Sequence, residues 1–262
     1  MDWKRSVNAG LSRVTGHRLV RAERLAAPPP PPPPKPKRGI PRHYDEEAQQ
    51  IIRTVKPRTM TGHEKLYALI LATRYVVDRD ISGAVVECGV WRGGSMQAVA
   101  HTLLARGITD RDLHLFDTFE GMPEPTEKDR LYSGRPASEV LETRERTANV
   151  WAIASLDDVR AGMAETGYPG ERIHFHPGLV QDTIATGAPA RIAILRLDTD
   201  WYDSTKHELE HLYDRVPSGG VLIMDDYGYW QGAQQAVDEF LDRRGERLLL
   251  LPMASGRIAV KP

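Results

Sequence analysis

Cysteine is nearly missing from this chain: Cys88 is the single one among 262 residues. One thiol forms no internal disulfide, so the sequence reads as a protein of a reducing, cytoplasmic compartment and not as a stapled secreted domain. Long apolar runs are lacking too. Nothing in the sequence is long and apolar enough to span a bilayer, and the opening MDWKRSVNAGLSRVTGHRLVRAERLAAPPP has no continuous apolar core of a secretory signal. Neither charge sign is in excess, with 35 Lys and Arg against 36 Asp and Glu and a net charge of −1. That removes the electrostatic grip by which proteins hold nucleic acid or an anionic membrane surface. The Gly-x-Gly-x-x-Gly fingerprint of dinucleotide binding is absent, and so is any Cys/His cluster suited to zinc.

What is present divides the chain unequally. Pro28 to Pro34 is unbroken proline followed by KPKRGIPR, a stretch that admits only extended polyproline or coil. Residues 1–38 therefore read as a basic, proline-rich disordered tail and spacer, a proline-motif docking site being the sharper alternative. Residues 39–262 form the folded domain. Within it, short β-branched runs alternate with segments of helical period: VVECG, DLHLFD, RIHFHPG, RIAILRLD and GGVLIMDD are strand-like, and GHEKLYALILATRYVVD, GGSMQAVAHTLLAR, STKHELEHLYDRV and GAQQAVDEFLDRR are helical. Ser155, three residues before Asp158, opens a further helix as its N-cap. Such alternation predicts a doubly wound α/β sheet of parallel βαβ units. The last two runs, RLLLLP and RIAVKP, stand too close for a parallel crossover and must form an antiparallel hairpin. A mostly parallel sheet closed by such a hairpin is the arrangement expected of class I S-adenosylmethionine (SAM) methyltransferases, a Rossmann-like fold.

Chemistry-bearing residues gather where these strands end. In VVECGVWRGGS, Gly89 lets backbone approach a ligand, the helix start at Gly93–Ser95 offers free N–H groups to a carboxylate, and Glu87 stands where an ammonium group is expected. Trp91 lies in the same turn and is counted with the donor contacts. Asp117, at the end of the second sheet strand, suits ribose hydroxyls, a turn or cap Asp being the plainer reading. Gly178 ends another strand at the same edge, with Gln181 and Asp182 following to read an adenine edge; His174 and His176 are read as structural. RLDTDWYDST and VLIMDDYG then place Asp198, Asp225 and Asp226 at the ends of adjacent parallel strands. Carboxylates so close repel one another unless a cation sits among them, and an all-oxygen set suits Mg²⁺ first, with Mn²⁺ or Ca²⁺ as substitutes.

VECGVWRGGS, DTFEGMP, LRLDTDWYDST and GGVLIMDDYG, in that order along residues 44–262, resemble the macrocin O-methyltransferase family of SAM-dependent sugar O-methyltransferases. The resemblance implies a Mg²⁺ ion on Asp198, Asp225 and Asp226 and a general base at Asp200. It supports Ser95, Asp117 and Gln181 as SAM contacts and adds Met60 and Thr61 beside the methionine moiety. It implies a small-molecule hydroxyl acceptor, a sugar or glycoside, and homo-oligomers among related enzymes. Two positions depart from the pattern: Thr199 stands where the family often has Gly, and Trp201 where it often has Leu. The aromatic residues Trp201, Tyr202, Tyr227, Tyr229 and Trp230 keep open a catechol or other aromatic diol as acceptor. A NAD(P)-dependent oxidoreductase and a non-catalytic SAM-binding scaffold are the readings from other classes. The long stretch from Glu120 to Trp151 is a candidate substrate lid, with Tyr132 and Arg135 facing the acceptor, and the helix over 44–55 is expected to cover the active site or pack on the sheet.

Overall fold

The computed structural model describes residues 39–144 and 149–262; the tail and spacer expected over 1–38 lie outside the described residues. The elements in chain order are α1 (Glu46–Val55), α2 (His63–Asp78), β1 (Ala84–Cys88), α3 (Gly94–Ala105), β2 (Leu113–Asp117), α4 (Ala137–Glu142), α5 (Leu156–Ala164), β3 (Ile173–Pro177), α6 (Val180–Gly187), β4 (Ile192–Leu197), α7 (Tyr202–Leu212), β5 (Val221–Met224), α8 (Gln231–Arg244), β6 (Leu251–Met253) and β7 (Gly256–Val260). They build a seven-stranded sheet in the order β3-β2-β1-β4-β5-β7-β6. The first five strands are parallel; β7 runs antiparallel to both β5 and β6. The strand-like run predicted from Arg247 begins pairing only at Leu251, because β7 is matched along the other edge by β5 and leaves β6 a short outer strand.

Burial on both faces explains why these strands read as continuous apolar runs. Val85, Leu113, Leu115, Ile194 and Ile223 face α2, α3 and α5, meeting Leu69, Val76, Met96, Val99 and Met163. Val86, Cys88, Phe116, Leu195 and Leu222 face the opposite way, meeting Leu209 and Leu212 of α7 and Val237 and Phe240 of α8. Glu87 and Arg196 are register partners across β1 and β4. By the two-residue alternation they point with Val85 and Ile194 toward α2 and α3.

Helix α1 does not cover the strand ends and does not pack on the sheet. Tyr44, Ile51, Ile52 and Val55 instead meet Leu66 and Ile70 of α2 and Ala98 of α3. Asp45 caps α1 by accepting from the Ala48 amide at 2.9 Å and also holds the Arg74 guanidinium. This anchors α2, whose first turn reaches the site. Ser155 caps α5 as the sequence predicts, accepting from the Asp158 amide at 3.2 Å.

Candidate active site

The parallel ladder continues one hydrogen bond past each strand, and that extension fixes the site. Gly178 donates to the Asp117 carbonyl at 3.0 Å, Gly89 to Phe116 at 2.8 Å, Asp198 to Cys88 at 2.8 Å and Asp225 to Leu197 at 2.9 Å. The chain then breaks away at the same edge in every case, as doubly wound sheets do where they bind ligands. Gly89 is indispensable here. Its φ is +83°, and a Cβ would lie 2.5 Å from the Asp198 carbonyl carbon and closer still to its oxygen. The turn after β1 and the turn after β4 therefore touch backbone to backbone.

A cavity of about 670 Å³ opens over this edge. Its lining includes Met60, Thr61, Gly89, Trp91, Asp117, Gly178 and Gln181, expected to hold the donor, and the charged residues Lys65, Asp198, Asp200, Asp225 and Asp226. Three residues expected at the donor end stand outside the lining. Ser95 is buried directly behind it, its Oγ 3.3 Å from the Thr61 hydroxyl. Asp182 is exposed on the first turn of α6. Glu87 is 1% exposed, and the positive group it meets is the Arg196 guanidinium. Burial pushes Glu87 up to about 7 against the pull of that guanidinium, and its Oε2 has no hydrogen-bond partner.

Asp117 is held by backbone: Oδ2 accepts from the amides of Val90 at 2.6 Å and Trp91 at 3.0 Å, and Oδ1 from Phe119 at 2.7 Å. The carboxylate thereby organises the turn after β1, and Trp91 is carried in the left-handed region at φ 47°. Burial raises the Asp117 pKa, and these amides oppose the rise.

Carboxylate oxygens of Asp198, Asp225 and Asp226 lie within 4.8 Å of one another. Burial drives Asp198 and Asp226 well above the ordinary carboxylate range; repulsion from neighbouring acids adds to it, and at Asp198 the Arg196 guanidinium opposes the rise. Asp225 behaves oppositely. Burial would raise it, but the Arg196 guanidinium and the Lys65 ammonium outweigh burial and hold it low. Arg196 donates to Asp225 at 2.6 Å, meets Asp198 at 2.8 Å and reaches the Thr61 hydroxyl at 3.2 Å. One buried guanidinium so links the acid cluster to Thr61. Donor chemistry and spacing here fit a hard divalent cation: only oxygens converge, and two of the three carboxylates are costly to ionise without added positive charge.

Asp200 sits beside this cluster in the left-handed region, φ 66°. Its amide donates to Asp226 Oδ2 at 3.1 Å, and its Oδ1 accepts from the Trp230 indole at 2.5 Å. Burial, with the neighbouring Asp198, pushes its pKa up to about 8. Thr199, where the resembled family often has glycine, donates to Glu208 Oε1 at 2.9 Å. Glu208 is fully buried, which pushes it up to about 8.

The stretch after β2 forms a wall over the acid end. Met122, Pro123, Glu124 and Thr126 line the cavity from it. Asp129, fully buried, ties it down: Oδ1 accepts from the Tyr202 amide at 2.8 Å, capping α7, and Oδ2 from the Thr126 amide at 2.7 Å. The Trp201 indole donates to the Pro123 carbonyl at 2.9 Å, so the residue that departs from the family pattern braces this wall. Tyr132 and Arg135 do not face the cavity as expected. Tyr132 bonds outward to the Tyr227 carbonyl at 3.2 Å, and Arg135 to the Glu139 carbonyl at 3.3 Å and the Thr143 hydroxyl at 3.1 Å, because the segment turns back into α4.

Lys65, Arg196, Glu208 and Asp129 carry no motif of their own. Arg196 alone left a signal, a charge in the middle of an apolar strand, which calls for a buried partner.

Residues 42–252 match the family model described as Macrocin-O-methyltransferase (TylF). A curated relative from Streptomyces olivaceus, 8-demethyl-8-(2,3-dimethoxy-alpha-L-rhamnosyl)-tetracenomycin-C 4'-O-methyltransferase, is 34% identical over 71% of this chain and 69% of its own length. Mycinamicin III 3''-O-methyltransferase of Micromonospora griseorubida is 32% identical over 71% of each chain. Among solved structures, the O-methyltransferase NovP superposes with a TM-score of 0.67 at 29% identity, covering 78% of this chain and 82% of NovP. The SAH-bound Podospora anserina methyltransferase PaMTH1 shares the fold with a TM-score of 0.53 at 15% identity, covering 83% of this chain and 88% of that one. Among the described residues no helix is long and apolar enough to cross a membrane.

Proposed function

The chain belongs to the macrocin-O-methyltransferase family and is a SAM-dependent O-methyltransferase, and from that premise we propose that it methylates a sugar hydroxyl of a glycosylated small molecule with the help of a divalent cation, Mg²⁺ first. The observation that carries the reading is the convergence of Asp198, Asp225 and Asp226 in the cavity that the glycine turn after β1 also lines. Membership sets aside the dinucleotide oxidoreductase and the non-catalytic scaffold.

SAM supplies a methyl group already activated on a sulfonium. Met60, Thr61 and the turn Gly89–Trp91 hold its methionine end, Asp117 its ribose, and Gly178 and Gln181 its base. The difficulty lies with the acceptor, because an alcohol keeps its proton at neutral pH and attacks poorly. Asp198, Asp225 and Asp226 hold the cation, whose charge lowers the pKa of a hydroxyl beside it. Asp200 takes the hydroxyl proton. Burial and the neighbouring Asp198 push its pKa up to about 8 before a cation enters, and the cation's charge would draw that value down, so that the base ionises as the site fills. Trp230 keeps Asp200 Oδ1 fixed. Trp201, Trp230 and Tyr229 give the acceptor end an aromatic wall, which shields the reacting atoms from water and favours one face of the acceptor.

That wall also supports a second reading, an aromatic diol as acceptor. Calorimetric titration with SAM and then with Mg²⁺, on the wild type and on Asp225→Asn/Asp226→Asn, is the primary test. SAM binding in both proteins with Mg²⁺ binding confined to the wild type is expected; SAM binding with no metal site in the wild type refutes the cation. Glycosides and catechols are then screened side by side, and turnover of catechols alone refutes the sugar acceptor.

A further inference from the structure

Lys65 belongs to the first turn of α2, a position where most lysines face water. Its side chain is only 11% exposed and ion-pairs with the Asp225 carboxylate, while its Nζ donates to the Asp225 carbonyl at 2.9 Å. Leu66, Leu69 and Ile70, on the same helix, are buried in the packing of α2. Burial disfavours the ammonium charge, and the attraction of Asp225 and Asp198 more than offsets that cost.

The two oxygens of Asp225 are divided between two cations. Oδ1 accepts from Arg196 at 2.6 Å and Oδ2 from Lys65. Arg196 comes from within the sheet, is also engaged by Asp198 and Glu87, and has nowhere to withdraw. Lys65 approaches from the cavity side on a flexible four-carbon stem. An ion taking up Asp225 at Oδ2 must share that oxygen with the ammonium or displace it.

We propose that Lys65 is a resident counter-cation of the acid cluster: it holds the carboxylates together without a divalent ion and, by competing for Asp225, sets how tightly such an ion is held. The inference rests on the metal reading above. It makes the metal site exchangeable by construction. The cluster does not have to be filled for the fold to tolerate it, and an incoming ion works against the charge of Lys65 in addition to that of Arg196, a repulsion that is strong in a buried site.

The test uses the full chain and Mg²⁺ alone, at pH 8, in wild type, Lys65→Met, Lys65→Gln and Lys65→Arg. Calorimetry gives the Mg²⁺ affinity, and thermal melts are run in EDTA and in saturating Mg²⁺. Lys65→Met and Lys65→Gln are expected to melt below the wild type in EDTA and to bind Mg²⁺ at least about tenfold more tightly. Their melting temperatures therefore rise more on adding Mg²⁺ than the wild type's does, and Lys65→Arg restores wild-type behaviour in both assays. Lys65→Gln retains an N–H donor without the charge and reports on the charge if Lys65→Met does not fold. Neutral variants with unchanged or weaker Mg²⁺ affinity overturn the inference while leaving the metal site standing. A wild type that binds neither Mg²⁺ nor Mn²⁺ overturns the metal reading itself, and the inference with it.

Discussion

Arg196→Met is expected to be among the most damaging single changes in the domain, and in a pH-dependent way. The guanidinium is 3% exposed and is shared by Glu87, Asp198 and Asp225. Methionine fills much of its volume but leaves these carboxylates facing one another with Lys65 as their remaining close cation. Removing one partner from a buried ion-pair network costs about 3–5 kcal/mol, and that range applies near pH 8, where the acids are driven to ionise. The sign follows from linkage. Glu87 and Asp198, already raised above their unfolded values of about 4, rise further without Arg196, and Asp225 loses the larger of the two attractions that hold it low. An acid raised on folding destabilises the fold above its unfolded pKa, so the penalty grows as pH rises and shrinks as the acids take up protons. Glu87, pushed up to about 7 even with its partner present, shows how strongly burial acts at this place. Urea denaturation of both proteins in EDTA at pH 5.5 and pH 8 measures the effect. The loss should be about 2 kcal/mol smaller at the lower pH. A loss under about 1 kcal/mol at pH 8, or one equal at both values, would refute the view that Arg196 carries the charge of this cluster.

Gly89→Ala should cost about 3 kcal/mol or more, since left-handed strain of 1–2 kcal/mol adds to a collision with the Asp198 carbonyl, backbone that cannot step aside; a variant as stable as wild type by urea titration, with SAM and Mg²⁺ affinities intact, contradicts the stitching of the two turns. Trp230 reports on Asp200 through its indole hydrogen bond, so in EDTA the tryptophan fluorescence should titrate with a midpoint about 8; the transition disappears in Trp230→Phe and in Asp200→Asn, and its survival in either would detach Asp200 from the titration. His114, 3.0 Å from His176, is lowered to about 4, chiefly by burial and then by its histidine neighbours. The unfolded chain accepts its proton first, so the contribution is whole above about 6.5 and is lost as pH falls toward the folded value. Between pH 7 and 5 the stability gap between wild type and His114→Gln should narrow by about 2 kcal/mol, and a gap that holds constant argues against a buried neutral imidazole.

How much of this was legible in the sequence depended on whether a residue's role was local. The strand-end acids could be found because period-2 runs and short crossovers place Asp198 and Asp225–Asp226 at one edge whatever the details of packing. The hairpin followed from loop length alone. Gly89 and Asp117 could be found because a turn needs them where they stand. Lys65 and Glu208 could not. Each lies on an ordinary amphipathic helix, and only the angle at which α2 and α7 cross the sheet decides whether that position meets water or the buried acids. Asp129 was hidden for a related reason: it caps a helix that starts 73 residues later in the chain, and capping signals are read from neighbours. The placing of Tyr132 and Arg135 failed because a long connection says nothing about where it doubles back.

The positions in the left-handed region show what the fold invests in this edge. Of the non-glycine residues with positive φ among those described, Trp91, Ala152 and Asp200 line the cavity. Each costs of order 1–3 kcal/mol unless its surroundings over-determine it. At Asp200 the surroundings can be named: its amide is fixed by a carboxylate oxygen of Asp226, its side chain by Trp230, and the next residue by the Trp201–Pro123 bond. Asp200 and Asp226 therefore share a single hydrogen-bonded frame. Changing Asp226 disturbs Asp200 directly, and the two act as a unit whose separate contributions do not add. Asp200, raised to about 8 by burial and by Asp198, also loses proton affinity whenever positive charge enters the cluster. In the proposed mechanism its strength as a base and the binding of a cation are thus one coupled quantity.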